Sequence, residues 1–499
     1  MITKGQFFEV EITDMAEDGK GIGKVDGLAA FVDAKGMDGR KRGADDLPAR
    51  SVVPGDRVRA CAAKAKKNYV IADAEEILFP SPDRVPSDCP YFGQCGGCTM
   101  RELSYDAQLR IKRDQVVSKL ERIGGVQSPL VRDMIGADTL QYYRNKATFA
   151  VGPHGEVGFY RGKSNYVLDI EDCLLQTDAA MVCAEALRTF IRKFGVYCMT
   201  QFTVRTAFAT GEIMAVIEST KKEIPHVDKL IEMLDDAVFS LGAEAPETDG
   251  EEPFYSLESV ALIHSGKCTL LAGKPTILEE VTRGDGQVLK YEISPQSFFQ
   301  VNPEQMVKLY DIVAEYALAD VPADPAKAGS NTIGTLLDLY CGVGSIGIYL
   351  ADKADRVVGI ESVRPAVIDA NRNSVINGLV NTRYIYGKAE EELPGMMGLA
   401  QLKKWNEVNE LVDREPLIRL DRADAVVLDP PRAGCEEALL DAVVTAAPER
   451  IIYVSCDPGT LARDVKYLSS RGYQFVECTP VDQFPWTAHV ECATLMTKA

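Results

Sequence analysis

The most reactive arrangement in the chain is a thiol. A strand-like run, RIIYVSC, ends at Cys456, and DPGTLARD follows at once and opens a helix. A thiol at a strand tip ahead of a helix N-terminus sits in positive potential, which lowers its pKa, raises its thiolate fraction and builds a nucleophile. Four further cysteines form a candidate ligand set. Cys89, Cys95 and Cys98 make a C-x5-C-x2-C run, and Cys173 follows in DIEDCLLQ. Four thiolates hold either zinc or an iron–sulfur cluster; zinc ribbons prefer two C-x2-C pairs, and here there is one. Other runs end in residues suited to an adenosine-type cofactor. DLYCGVGS turns on Gly342 and Gly344, where the backbone can approach a ligand closely. RVVGIE ends in Glu361, an acid placed for the two hydroxyls of a ribose. ADAVVLDPPR holds Asp429 at a strand tip with two prolines behind it. Taken as a bare Gly-x-Gly, short of the dinucleotide fingerprint, and with no Walker lysine, the set favours S-adenosylmethionine over NAD or ATP.

These residues need a scaffold that gathers them. From about residue 334, apolar strand-like runs alternate with helical ones through to HVECATLMTK. That alternation predicts an α/β, Rossmann-like, mostly parallel doubly wound sheet, in which ligands bind beyond the carboxyl ends of the strands. The acids and the thiol all follow strands, so they are expected along one edge. Residues 5–78 read as short period-two strands broken by glycines, which predicts a small OB-like β-barrel. A Pro- and Cys-rich stretch covers 80–100. A helix follows, with Ser104 as N-cap and Gly124-Gly125 as its stop. Residues 142–290 mix strand-like runs with helices near 178–194 and 225–237, an α+β pattern with an acidic loop over 242–253. A loop-rich insert is expected over about 395–420. The expected domains are 1–78, an RNA-binding barrel; 79–290, a central domain with the cysteine cluster; and 291–499, the cofactor-binding domain.

Composition bounds the partners. A chain of 499 residues, 46% hydrophobic and 26% charged, supports about three ordinary globular cores. No apolar run approaches the roughly 18 residues of a membrane helix, and MITKGQFFEVEITD is not a secretory leader, so a cytoplasmic protein is expected. A net charge of −19 argues at first against nucleic acid. The first 70 residues nonetheless carry 13 basic against 11 acidic side chains, and 101–165 carry 11 against 7. An acidic protein with a basic front is compatible with an RNA partner. Of the 13 cysteines, Cys61, Cys183, Cys198, Cys268, Cys478 and Cys492 are expected as buried small hydrophobes, and Cys341 as packing in its turn.

Five separated segments, ISPQSFFQVNP, DLYCGVGS, LDPPRAG, SCDPGTLARD and HVECATLM, together resemble the RNA uridine-C5 methyltransferases, and the resemblance runs over nearly the whole chain. It implies that Cys456 attacks C6 of uracil and that Glu491 is the base. It implies S-adenosylmethionine held by Gln300, Tyr340, Glu361 and Asp429. Some members carry a [4Fe–4S] cluster on C-x5-C-G-G-C plus a later cysteine; this implies Cys89, Cys95, Cys98 and Cys173 as its ligands. The front barrel resembles the TRAM domain, which delivers RNA. With the cysteine motif, 23S ribosomal RNA is the implied substrate and transfer RNA the alternative, with the protein acting as a monomer. Ser345 stands where the family often has Asn and Lys388 where an Asp or Asn commonly faces adenine, so neither is assigned a cofactor contact. Phe298 and Phe299 either stack on the target base or pack in the core, and His489 is expected to be structural. The rivals are an RNA-binding iron–sulfur protein with an inert methyltransferase half, and an adenine or cytosine methyltransferase. The last would usually show a second cysteine near Asp429-Pro430, and Cys435 lies nearby but outside the strand tip.

Overall fold

The computed structural model describes residues 2–34, 50–243, 255–319, 332–398 and 419–499. Most of the acidic loop at 242–253 and of the insert at 395–420 lies outside the described residues. The chain divides into two compact units. One comprises residues 1–115, 158–174 and 484–490; the other comprises 116–157, 175–483 and 491–499.

The first unit is built on a closed barrel of β1 (Phe7–Met15), β2 (Gly21–Val25), β3 (Leu28–Asp33), β4 (Arg57–Ala65) and β5 (Tyr69–Phe79), in the order β1-β2-β3-β5-β4. Period-two alternation explains it. In β4, Val58, Ala60 and Ala62 point inward while Arg57 and Arg59 point out. Alanines and valines fill the interior because a five-stranded barrel leaves little room. β3 and β5 run parallel and the other pairs antiparallel. Later segments also belong to this unit. Thr99 and Met100 donate backbone hydrogen bonds to the Trp486 carbonyl at 3.0 Å each, and Lys112 Nζ donates to the Phe484 carbonyl at 3.2 Å.

Helix α1 (Tyr105–Lys119) follows Ser104 and ends, as expected, on Gly125 in a left-handed conformation. Its last turn, 120–124, widens into a π turn that the sequence does not announce. In the second unit, β6 (Lys146–Val151), β9 (Met199–Thr206), β10 (Glu212–Ser219), β11 (Ser256–His264) and β12 (Lys267–Gly273) form contiguous strands in the order β12-β11-β10-β9-β6. β7 (Val157–Tyr160) and β8 (Val167–Asp169) pair as a hairpin. α2 (Asp178–Phe194) is capped by Thr177, which accepts from the Ala180 N–H, and α3 (Val227–Ala243) packs on α2.

The strand-tip residues singled out in the sequence lie on the other sheet. After the hairpin β13 (Ile277–Thr282) and β14 (Val288–Ile293) comes α4 (Pro303–Ala317), N-capped by Asn302. Seven strands then pair in the order β17-β16-β15-β18-β19-β21-β20: β15 (Ile333–Leu339), β16 (Ala354–Glu361), β17 (Thr382–Tyr386), β18 (Ala425–Leu428), β19 (Arg450–Ser455), β20 (Tyr473–Val481) and β21 (Glu491–Lys498). All run parallel except β21, which is antiparallel to both neighbours. Helices α5 (Ser345–Tyr349), α6 (Arg364–Ile376), α7 (Ala389–Met396), α8 (Glu437–Ala446) and α9 (Pro458–Ser469) alternate with the strands. β18 and β19 are buried along their whole length, as parallel strands covered on both faces must be. This is the α/β doubly wound architecture the sequence predicts.

Most of the cysteines expected as packing residues are buried. Cys61 and Cys268 are the exceptions and stay half-buried. Cys268 lies on the outermost strand of its sheet, where one flank is uncovered.

Candidate active site and cysteine cluster

Sheet register brings Cys456 and Glu491 together. Ser455, the last residue of β19, pairs with Cys492, and Glu491 opens β21 while pairing on its other side with Val481. An antiparallel strand starts where its neighbour ends, so the thiol just past β19 faces the carboxylate at the head of β21. Glu491 is buried, and burial together with the Asp429 charge holds its carboxyl well above the usual range. Burial and the Glu491 charge push the Cys456 thiol up to about 12. This reverses the expectation from the helix N-terminus. Asp457 caps α9, accepting from Gly459 N at 2.8 Å and Thr460 N at 3.0 Å, so the helix spends its first N–H groups on that carboxylate. The cation that favours both anions is Arg432, whose charge opposes the upward shift of Cys456 and of Glu491. Arg432 was visible in DPPR, but nothing in that spelling says its guanidinium reaches both groups.

The acids cluster on the same edge. Asp338 at the end of β15 is fully buried and pushed up to about 7 by burial, with the charges of Asp429 and Glu361 adding to it. Asp429 is likewise raised to about 7 by burial. The Asp429 charge is felt by Asp338 on one side and by Cys456 and Glu491 on the other, so it stands between the turn after β15 and the thiol.

The turn itself is made for a ligand. Glu361 accepts from Gly342 N at 3.1 Å and Val363 N at 2.7 Å, which fixes its carboxylate at the tip of β16. Tyr340 and Gly342 both have positive φ, 64° and 55°. A side chain built at Gly342 would meet nothing within 4 Å, so the backbone there borders open space. Gly347 completes a G-x-G-x-x-G spacing with Gly342 and Gly344, so the glycine pattern alone does not set S-adenosylmethionine apart from a dinucleotide. Gly344, at φ 78°, is irreplaceable for a different reason: a Cβ there would lie 2.8 Å from the Tyr384 ring. Gly344→Ala is therefore expected to cost about 1–3 kcal/mol of stability and to weaken cofactor binding, read by thermal melting and calorimetric titration with S-adenosylmethionine.

Gln300 is buried in the segment before α4. Its carbonyl accepts from Asn145 Nδ2 at 3.1 Å, while its side-chain amide has no hydrogen-bond partner among the described residues. The segment is tied to the end of β20 by Asn302 and Gln483, whose side-chain amides each donate to the other's carbonyl, at 3.4 and 3.0 Å. Phe299 is core, packed against Tyr291 at 5.5 Å, whereas Phe298 is 59% exposed. The Ser345 hydroxyl lies 2.8 Å from that of Tyr310. Lys388 is exposed, with Glu391 3.9 Å from its ammonium. Cys435 is buried ahead of α8, its N–H donating to Asp464 at 2.9 Å.

The cysteine set lies within the first unit. Among the described residues no three His, Cys, Asp or Glu side chains are already arranged to hold a metal ion. The sulfurs are nevertheless neighbours: burial pushes Cys95 up to about 11, and charges on Cys98, Cys173 and Cys89 add to the rise. Arg101, 2% exposed and stacked 5.1 Å over Trp486, hydrogen-bonds the Cys98 sulfur, and its buried Nε has no partner among the described residues. Its guanidinium is also paired with Asp88, and a buried cation hydrogen-bonded to one of several neighbouring thiols fits an anionic thiolate centre. His489 belongs to this unit too, its ring edge-on to Phe484 at 6.1 Å.

Residues 256–499 match the family described as tRNA (Uracil-5-)-methyltransferase. An uncharacterized RNA methyltransferase of Halalkalibacterium halodurans is 34% identical over 99% of this chain and 98% of its own length. The chain belongs to the RNA uracil-C5 methyltransferase family. A second relative, an uncharacterized RNA methyltransferase of Bacillus cereus, is 35% identical over 100% of this chain and 98% of its own. The fold is shared with the crystal structure of Pyrococcus abyssi tRNA (uracil-54, C5)-methyltransferase in complex with S-adenosyl-L-homocysteine, with a TM-score of 0.65 at 24% identity over 98% of this chain and 100% of that one. This family member is an S-adenosylmethionine-dependent RNA methyltransferase. No described helix is long and apolar enough to cross a membrane.

Proposed function

We propose that the protein methylates C5 of a uridine in 23S ribosomal RNA through a covalent adduct between Cys456 and C6 of the base. The observation that carries the chemistry is the facing pair at the ends of β19 and β21, a thiol opposite a buried carboxylate. C5 of uracil is a poor nucleophile. Cys456, after losing its proton to solvent, adds to C6 and leaves an enolate whose negative density lies at C5. S-adenosylmethionine, when bound, supplies an electrophilic methyl group to that carbon. Glu491 then takes the C5 proton, the C5–C6 double bond re-forms and the thiolate leaves. Arg432 favours the anionic forms of both residues. Gln300, Tyr340, Glu361 and Asp429 hold the cofactor in this reading: the free Gln300 amide, the open space beside Gly342 and the strand-tip acids fit an adenosyl group carrying an amino acid. Phe298, exposed in the same segment, stacks on the extruded base.

Cys456 and Glu491 must each lose a proton to act, and burial together with neighbouring negative charge pushes both upward. Activity should therefore rise with pH, by roughly tenfold per unit through the neutral range, until other steps limit it. A rate flat from pH 6 to 9 would show that neither ionisation controls the reaction.

The choice of ribosomal RNA rests on the cysteine motif and its likeness to iron–sulfur members of the family. Transfer RNA is the second reading, favoured by the printed description of the matched family. Mapping 5-methyluridine in ribosomal and transfer RNA from cells with and without the gene decides between them. The front barrel delivers the RNA, as TRAM domains do. In this reading Cys89, Cys95, Cys98 and Cys173 hold a [4Fe–4S] cluster, which supplies structure or RNA recognition and no part of methyl transfer. Anaerobically purified protein is expected to be brown, with about four irons per chain. Stoichiometric zinc and a colourless solution would contradict this. Cys95→Ala should lower the melting temperature far more than it changes S-adenosylmethionine affinity.

A further inference from the structure

The loop that carries Arg432 is held to the helix that follows Cys456. Pro431 to Gly434 form a turn closed by Gly434 N donating to the Pro431 carbonyl at 2.8 Å. Three side chains of α9 reach three carbonyls and one N–H of that loop. Thr460 Oγ1 donates to the Arg432 carbonyl at 3.2 Å. Arg463 Nη2 donates to the carbonyls of Ala433 and Cys435 at 3.0 and 3.2 Å. Asp464, 2% exposed, accepts from Cys435 N at 2.9 Å and from the Tyr453 hydroxyl at 2.6 Å, while its other oxygen accepts from Arg463 Nε at 2.8 Å. The approach is so close that a Cβ at Gly434, where φ is 76°, would lie 2.4 Å from Arg463 Nη2 and 2.7 Å from Asp464 Oδ2.

A turn with an exposed arginine at its second position would ordinarily move freely. Here its backbone is fastened at three residues, Arg432, Ala433 and Cys435, with Gly434 pressed close to Arg463 and Asp464. The fastening comes from one face of a single helix, and that helix begins two residues after Cys456. Tyr453, on the strand leading to Cys456, joins the same carboxylate. Nothing in the methyl-transfer chemistry itself employs Arg463, Asp464 or Tyr453.

We infer that Arg463 and Asp464 are positioning residues: they clamp the Pro431–Cys435 turn so that the Arg432 guanidinium stays beside Cys456 and Glu491. The inference rests on the reading of Cys456 as the nucleophile. It assigns the pair a role in the electrostatics of the thiol, whose other charged neighbours are Glu491 and Asp429.

The test uses the full-length protein with its cofactors. Alkylation of Cys456 by iodoacetamide is followed against pH by peptide mass spectrometry, alongside the methylation rate at saturating RNA and S-adenosylmethionine. Arg463→Gln should slow methylation roughly tenfold and move the alkylation midpoint upward by about half a unit or more, in the direction of Arg432→Gln. Cofactor affinity should stay within about twofold. The deciding comparison is the double variant Arg432→Gln/Arg463→Gln, which should lose no more than Arg432→Gln alone, because a clamp is worthless without the side chain it serves. Losses that multiply, an alkylation profile unmoved by Arg463→Gln, or an Arg432→Gln variant with the wild-type profile would each overturn the inference. Asp464→Asn should shift the profile in the same direction; if it fails to fold, Thr460→Val, which takes away the hydroxyl shared between the Arg432 and Asp457 carbonyls, should show a smaller shift of the same sign, and no shift in it or in Arg463→Gln overturns the clamp. Failure of the underlying reading looks different: Cys456→Ala would then still methylate RNA.

Discussion

Cys456→Ala should reduce methylation by about ten-thousandfold or more, to the limit of detection. The size of the effect follows from the substrate. Without a nucleophile at C6, C5 of uracil carries too little electron density to attack a methyl sulfonium at a useful rate. Cys492, paired with Ser455 at the same strand tip, is fully buried, and its hydrogen bond with Cys478 together with burial holds its thiol well above the ordinary range. Cys435, the nearest by sequence, is buried with its backbone fastened to Asp464, and burial pushes its thiol up to about 12. Cofactor binding should survive the substitution, since Gln300, Tyr340, Glu361 and Asp429 are untouched. Calorimetric titration with S-adenosylmethionine beside a methylation assay checks both halves. A Cys456→Ala enzyme that still makes 5-methyluridine at near the wild-type rate contradicts the nucleophile assignment.

Glu491→Gln should separate the two halves of the reaction. Glutamine keeps the size of the side chain, and burial and the Asp429 charge already disfavour the anionic form of Glu491, so a neutral amide disturbs its surroundings little. Addition and methyl transfer then proceed, but no base removes the C5 proton. Turnover should fall by at least a hundredfold, and protein joined to methylated RNA should accumulate. With labelled cofactor, a denaturing gel shows this as a labelled band of protein–RNA size, absent for Cys456→Ala. Normal turnover by Glu491→Gln would mean that another group takes the proton.

Much of this was legible in the sequence because the middle of the methyltransferase sheet is made of short, mostly buried parallel strands. Runs such as VVGIE, AVVLD and IIYVSC can only be interior strands, and the rule that ligands bind past their carboxyl ends then picks out Glu361, Asp429 and Cys456. Glu491 needed the resemblance, since an acid opening a strand is ordinary until register sets it beside a thiol. The state of that thiol could not be read. SCDP suggests a helix N-terminus offered to the sulfur, but whether Asp457 turns back to cap the helix is a matter of side-chain geometry, and it does. Arg432 was equally hidden, because its reach depends on a turn folded against Arg463 and Asp464, some 30 residues later in the chain. The composition of the first unit was out of reach for a related reason. Residues 158–174 and 484–490 join the barrel segment only through pairings distant in sequence, such as Thr99 with Trp486, and local patterns carry no trace of them.

The central claim is that Cys456 bonds to the base it methylates. RNA containing 5-fluorouridine tests it most directly, because a fluorine at C5 cannot be removed as a proton is, so the methylated adduct cannot collapse. The wild-type enzyme, incubated with that RNA and S-adenosylmethionine and then digested with trypsin and nuclease, should yield one modified peptide spanning Cys456, heavier by a 5-fluoro-5-methyl-dihydrouridine nucleotide. A digest with no RNA-linked peptide, or one in which the nucleotide sits on a different cysteine, would contradict the account.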